Sequence, residues 1–265
     1  MSITMTKNRI EELFEQKKER ILSVYFTAGF PAIDDTAHIV EHLAKAGADI
    51  VEVGIPYSDP VADGPTIQES NKVALDNGIS LQLIFDQLGD IRKSVDIPII
   101  LMGYINPVLQ YGIEAFCKKC AEIGIDGVIL PDLPMQEYLE GYKNVFEAHG
   151  LLNIFLITPQ TSDARVREID GNSRGFIYMV SSASTTGAKA GISSSQLAYF
   201  ERIKAMKLNN PTLIGFGISD KATFDQASAH ASGAIIGSAF IQLLSNTKNM
   251  EQDIFGFIQS VKGKA

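Results

Sequence analysis

The chain has 265 residues, 45% of them hydrophobic, which suffices for one large α/β domain or two small ones. Its 23 Lys and Arg against 31 Asp and Glu leave a net charge of −8, and no basic cluster interleaves with aromatic residues. That balance argues against a nucleic-acid partner and gives no support for docking on an anionic membrane.

Met1 to Lys18 is polar and amphipathic. It reads as a first helix, about Met5–Lys18, and lacks the apolar core of a secretory signal. No run approaches 18 uninterrupted apolar residues, so no membrane span is expected. The expected location is the cytoplasm.

Eight short apolar runs rich in Val and Ile then follow: Ile21–Thr27, Ile50–Val53, Ile97–Met102, Gly127–Leu130, Asn153–Ile157, Gly175–Val180, Thr212–Gly215 and Ala234–Ile236. Continuous apolar runs of this length read as strands covered on both faces. Between them the periodicity predicts helices near Asp34–Ala46, Leu81–Lys93, Ile113–Ile123, Glu137–Ala148, Asp163–Ile169, Ser195–Met206 and Lys221–His230. A final pair lies near Ala239–Leu244 and Glu251–Val261. Three phrases, Ala46-Gly47-Ala48, Ile123-Gly124-Ile125 and Ser232-Gly233-Ala234, end helices with a glycine suited to a left-handed cap.

Eight β-α units with no linker-like segment point to a (β/α)8 barrel, a single domain over 1–265 with an extra N-terminal helix. A doubly wound open sheet is the competing architecture. Its dinucleotide fingerprint is not matched by Thr27-Ala28-Gly29-Phe30-Pro31 after the first strand.

In a barrel the reacting groups lie at strand C-terminal ends. The polar residues there are Thr27, Glu52, Tyr104 with Asn106, Asp132, Thr158, Tyr178 and the Ser181–Thr186 run. Ile50, Glu52 and Gly54 share one face of their strand, as do Phe176, Tyr178 and Val180. If those faces point inward, burial raises the Glu52 pKa and suits it to donate a proton near neutral pH. A buried glutamate paired with a tyrosine, and a plain core tyrosine, are the alternatives. Asp59 and Asp63 follow in a loop stiffened by Pro56, Pro60 and Pro65.

Gly215-Phe216-Gly217 and Gly237-Ser238 follow the last two strands, and the second phrase opens a helix. Backbone N–H groups exposed there suit a phosphate dianion, and Thr185-Thr186-Gly187 is placed to close over the same ligand. No strand carries a lysine for a Schiff base, and no set of His and carboxylate ligands converges. Cys117 and Cys120 form a lone CxxC that fits two positions of one helix better than a redox pair or half a metal site. Acid–base chemistry on a phosphorylated substrate is what remains.

The phrase Glu52-Val-Gly-Ile-Pro-Tyr-Ser-Asp-Pro-Val-Ala-Asp63-Gly-Pro-Thr-Ile-Gln68 closely resembles the signature of the tryptophan synthase alpha chain family. Tyr25-Phe-Thr-Ala-Gly-Phe-Pro31, Leu101-Met-Gly-Tyr-Ile-Asn-Pro107, Pro131-Asp-Leu-Pro134 and Gly215-Phe-Gly-Ile-Ser219 support it along the chain. The resemblance implies retro-aldol cleavage of indole-3-glycerol phosphate to indole and glyceraldehyde 3-phosphate. It makes Glu52 the general acid, Asp63 the partner of the indole N–H, and Tyr178 a support for the glutamate or the substrate. Gly187, Gly217, Gly237 and Ser238, with Thr186, are assigned to phosphate, and Tyr25, Met102, Tyr104 and Phe216 to the indole pocket. It also implies an α2β2 complex with a beta chain that carries pyridoxal phosphate, no cofactor or metal in this chain, and docking through the loop from Tyr57 to Asp63. Asp59, beside Pro60, matches the position that pairs with a beta-chain lysine.

Two positions depart from the family pattern: Ser184 stands where a Gly-Val-Thr-Gly phrase usually begins, and Phe30 where many relatives have an acid. A free-standing lyase, a non-catalytic activator of a beta chain and another phosphate-binding barrel are the alternative readings.

Overall fold

The computed structural model describes residues 7–60, 63–181, 193–215 and 217–263. Among them run nine parallel strands: β1 (Ile21–Thr27), β2 (Ile50–Gly54), β3 (Ile99–Met102), β4 (Gly127–Ile129), β5 (Leu152–Asn153), β6 (Leu156–Ile157), β7 (Ile177–Val180), β8 (Thr212–Gly215) and β9 (Gly233–Ile236). Their order in the sheet is β5-β4-β3-β2-β1-β9-β8-β7-β6. β5 and β6 are halves of the run expected as one strand. The first half bonds to β4 and the second to β7. Ile154 and Phe155 join them, and the ladder continues through the joint. The Ile154 N–H donates to the Val128 carbonyl and the Tyr178 N–H to the Phe155 carbonyl, both at 2.9 Å. The sheet thus returns on itself as a (β/α)8 barrel whose fifth strand changes partner midway.

Alternation along each strand sets the two layers. Ile21, Ile50, Ile100, Phe176, Leu213 and Ile235 form the inner core, while Val24, Val51, Val53, Leu101 and Ile177 belong to the layer under the helices. Ile10 and Phe14, from the helix Arg9–Gln16, join the inner core. The Phe14 and Phe176 rings lie 5.8 Å apart. This helix therefore plugs the barrel at its N-terminal end, and burying each of those side chains stabilises the plug by roughly 2 kcal/mol. Its N-cap, Asn8, accepts from Ile10 N–H and donates to the carbonyls of Asp126 and Gly150, which fixes it to the barrel floor. Asp126, 3% exposed, anchors the same floor by accepting from Arg9, Arg92 and the Ile99 N–H.

Several expectations are corrected. The helix Pro65–Asp76 was not expected, because its buried face is Ser70, Asn71 and Ala74 and so carries little apolar periodicity. The helix Ile105–Tyr111 was not expected because Pro107 sits inside it. Proline is tolerated in a first turn, where no carbonyl of the helix receives its N–H. The run Glu137–Ala148 is α over Met135–Glu137, π over Tyr138–Tyr142 and α again over Lys143–Ala148. The run Leu81–Lys93 is α over Leu81–Gln87, with a 3-10 turn at Ile91–Lys93. Gly47 and Gly124 are left-handed caps, with φ of 98° and 80°. Gly233 is not: a Cβ there would lie 1.9 Å from the Ile21 carbonyl oxygen, so its glycine admits β1 instead.

Candidate active site

Glu52 lies mid-way along β2 on the inner face, opposite Tyr25 of β1 in the register. It is fully buried. Its Oε1 accepts a 2.6 Å hydrogen bond from the Ser23 hydroxyl, and its Oε2 is buried with no partner among the described residues. Burial pushes its pKa up to about 7, against a smaller lowering by Ser23. A carboxyl whose pKa is raised toward neutrality is poised to give or take a proton near pH 7.

Two tyrosines stand around it, each in a notch left by a glycine. A Cβ on Gly54 would lie 2.3 Å from the Tyr25 hydroxyl, and one on Gly215 would lie 2.2 Å from the Tyr178 hydroxyl. Tyr178 is 4% exposed, and its phenol is held far above its usual range, first by burial and then by the charges of Glu52, Asp63 and Tyr25. The inward faces expected for Glu52 and Tyr178 are both present.

Beside these groups a cleft is lined by Tyr25, Ile55, Asp63, Asn71, Met102, Gly103, Tyr104 and Pro131. Four of the expected residues, Tyr25, Asp63, Met102 and Tyr104, come together there. Glu52 is outside this lining. Asp63 is half-buried, and burial raises its pKa against the opposing hydrogen bond from the Tyr104 hydroxyl, which is long at 3.4 Å. The Tyr104 ring stacks on Tyr57 with centroids 5.0 Å apart, which ties the loop after β2 to β3. Asp59 is exposed and accepts from its neighbour Ser58, while Pro60 is half-buried beside it.

Two of the glycines assigned to phosphate lie in the turns after β8 and β9. Gly217 has φ +78°, and Gly237 is the N-cap of the helix Ser238–Ser245. A Cβ on Gly237 would lie 3.4 Å from the Tyr25 ring, so this helix start adjoins the acid's neighbour. Ser238 is exposed there. Thr186, Gly187 and Phe216, with the loop position Ser184, lie outside the described residues.

Other polar candidates do structural work. Thr27 shares a 2.7 Å hydrogen bond with Ser70. Asp132 accepts from the Ile105 N–H at the start of its helix, and the Thr158 N–H donates to Thr161. Cys117 and Cys120 are free, buried thiols on one helix, and burial pushes Cys117 up to about 12, far from a reactive thiolate. Among the described residues no group of His, Cys, Asp or Glu is placed to hold a metal, and no helix is long and apolar enough to cross a membrane.

Sequence reasoning missed two residues. Ser23 looks like a stray hydroxyl in an apolar run; the signal was its inward parity with Tyr25. Asn71, 3% exposed in the cleft with an unpartnered Oδ1, sits on the helix that periodicity hid.

The family model described as Tryptophan synthase alpha chain matches residues 12–263. The chain is 60% identical over 240 residues to a tryptophan synthase alpha chain of Flavobacterium johnsoniae, covering 91% of this chain and 94% of that one. To that of Flavobacterium psychrophilum it is 56% identical over 254 residues, covering 96% and 99%. The crystal structure of the alpha chain from Legionella pneumophila superposes with a TM-score of 0.86 at 34% identity, covering 97% of each chain. A structure of Mycobacterium tuberculosis tryptophan synthase does so with a TM-score of 0.87 at 30% identity, covering 97% and 98%.

Proposed function

This chain belongs to the tryptophan synthase alpha chain family, and we propose that Glu52 is its general acid and Asp63 the carboxylate that orients the indole ring. The chain is a carbon–carbon lyase that cleaves indole-3-glycerol phosphate to indole and glyceraldehyde 3-phosphate in tryptophan biosynthesis, as the alpha subunit paired with a beta chain. One observation carries the assignment of the acid: a fully buried carboxyl on the inner face of β2, with one free oxygen and a pKa near 7.

The chemistry follows from that acid. Proton transfer from Glu52 to indole C3 leaves the ring as an iminium ion, an electron sink of the kind a Schiff base otherwise supplies. The Asp63 carboxylate, bonded to the ring N–H, stabilises the positive charge. Glu52, now ionised, takes the proton of the adjacent glycerol hydroxyl. As that O–H bond breaks, a carbonyl forms, the C–C bond to C3 cleaves, and its electron pair neutralises the ring. Proton and charge balance without a cofactor. Glu52 lies beside rather than in the cleft lining, so on this reading its side chain or that of Tyr25 shifts when the substrate enters.

Tyr178 supports the acid, while Tyr25, Met102, Tyr104 and Phe216 enclose the indole. Thr186, Gly187, Gly217, Gly237 and Ser238 hold the phosphate, with the N-terminus of helix Ser238–Ser245 pointing its N–H groups at it. Asn71 offers a further acceptor beside Asp63 for the substrate's hydroxyl groups. Asp59 and Pro60 face the beta chain, to which pyridoxal phosphate belongs. The chain works as one domain over 1–265, in the cytoplasm, as expected of a biosynthetic enzyme.

The test is to incubate the full chain with indole-3-glycerol phosphate, with and without a beta chain, and to measure indole. Release of indole and glyceraldehyde 3-phosphate in equal amounts is expected, and the absence of indole in both arms overturns the assignment.

A further inference from the structure

Ser23 lies on β1, on the same inward face as Ile21 and Tyr25, and is fully buried. Its register partner on β2 is Ile50, and Ile100 and Ile235 pack in the same inner core. A hydroxyl in such a layer needs a partner, since leaving it unbonded costs about 1–3 kcal/mol. Its hydrogen bond, 2.6 Å long, goes to Oε1 of Glu52. The other carboxyl oxygen, Oε2, is buried with nothing to bond among the described residues. The two oxygens of the acid are therefore unequal before any substrate arrives.

We propose that Ser23 is a positioning residue for proton transfer: by donating to Oε1 it confines the acidic proton to Oε2 and makes Oε2 the atom that gives and takes protons. The inference rests on the reading of Glu52 as the general acid. A protonated carboxyl has one O–H donor and one carbonyl acceptor. The oxygen that receives the serine hydroxyl is the carbonyl, so the proton resides on the other. That O–H has no acceptor among the described residues, and a ring carbon receiving the proton relieves the deficit. The hydrogen bond also holds the carboxyl in one orientation, which proton transfer over a short distance requires.

Ser23 acts on the titration as well. A hydroxyl donor favours the ionised carboxyl and opposes the burial that raises its pKa. The other titratable groups around the site are Tyr25 of β1, Tyr178 of β7, and Asp63 and Tyr104 after β2 and β3. Tyr25 and Tyr178 are held far above their usual range and stay neutral near pH 7, while burial raises Asp63 against the opposing hydrogen bond from Tyr104. On this reading the basic limb of the rate profile is that of Glu52, and Glu52→Gln tests the assignment.

The experiment compares Ser23→Ala, Ser23→Thr and Ser23→Cys in the full chain with its beta partner. It reads kcat, KM for indole-3-glycerol phosphate and the pH of the basic limb. Ser23→Ala is expected to lower kcat about tenfold with KM within about twofold, and to move the basic limb up by about one pH unit. Ser23→Thr keeps the donor and is expected to restore both. Ser23→Cys keeps the size with a weak donor, and its limb moves in the same direction, so it serves if the alanine variant does not fold. A folded Ala or Cys variant with unchanged kcat and an unmoved limb overturns the proposal and leaves Ser23 as a satisfied core hydroxyl. Failure of the underlying reading looks different: the wild-type chain makes no indole, or its basic limb survives in Glu52→Gln.

Discussion

The phenol of Tyr178 occupies the volume that a side chain at position 215 would need. A Cβ on Gly215 would lie 2.2 Å from the hydroxyl oxygen and 2.4 Å from Cζ. The ring itself, and not only its tip, must then move, and it is packed in the core beside Glu52. Gly215→Ala is expected to cost about 1–3 kcal/mol of stability through overpacking and to lower kcat by about tenfold or more. Thermal unfolding and steady-state turnover check the pair; an unchanged kcat contradicts the placement of Tyr178 at the acid.

Burial of the Glu52 carboxyl links stability to pH with a definite sign. Its pKa is about 7 in the folded chain against 4.5 as the ordinary value. Between those two values the folded state holds a proton that the unfolded state releases, so stability falls as pH rises through the window. Above pH 7 the full penalty applies, on the order of 3 kcal/mol. Glu52→Gln removes the titration. Its stability relative to wild type is expected to be higher at pH 8 than at pH 4.5 by about that amount, as measured by urea unfolding at both. An equal difference at the two pH values would show that the carboxyl is not desolvated.

The inner face that carries the acid was legible in the sequence, because strand parity is strict: placing Ile50 inward forces Glu52 inward too. The glycine turns after β8 and β9 were legible for a similar reason, since each strand exit has one short connection in which a helix start can appear. What stayed hidden depended on contacts remote in sequence. Asn71 lies on a helix whose buried face is polar, so periodicity gave no sign of it. The helix Ile105–Tyr111 is held at its start by Asp132, which no local pattern reveals. The split of the fifth strand reflects two different neighbours, β4 and β7, and neither is encoded within the six residues from Leu152 to Ile157.

Asp63 faces the cleft from the loop after β2, half-buried, with Tyr104 as its partner. Asp63→Asn preserves shape and removes the charge proposed to balance the ring cation. It is expected to lower kcat by about a hundredfold while the fold stays intact. Circular dichroism and steady-state rates separate the two effects. Wild-type turnover in the variant would remove Asp63 from the chemistry.

The opposite end of the barrel gives the control. Asp126 is buried among Arg9, Arg92 and the Ile99 N–H, at the floor and away from the cleft. Asp126→Ala leaves the Arg92 charge without its partner and is expected to destabilise the fold by about 3–5 kcal/mol. The kcat per folded molecule is expected to stay near the wild-type value, since stability and chemistry reside at different ends of this architecture. A kcat loss exceeding the loss of folded protein would contradict that separation.

The most direct measurement is indole formation by Glu52→Gln beside wild type in a single-turnover experiment, with binding of indole-3-glycerol phosphate followed separately by calorimetry. Glutamine fits the same space and can accept from Ser23, but it has no acidic proton. The account predicts a rate at least about a thousandfold lower, with the dissociation constant within a few-fold of wild type. A variant that still releases indole at a comparable rate, or that loses binding instead of chemistry, would contradict it.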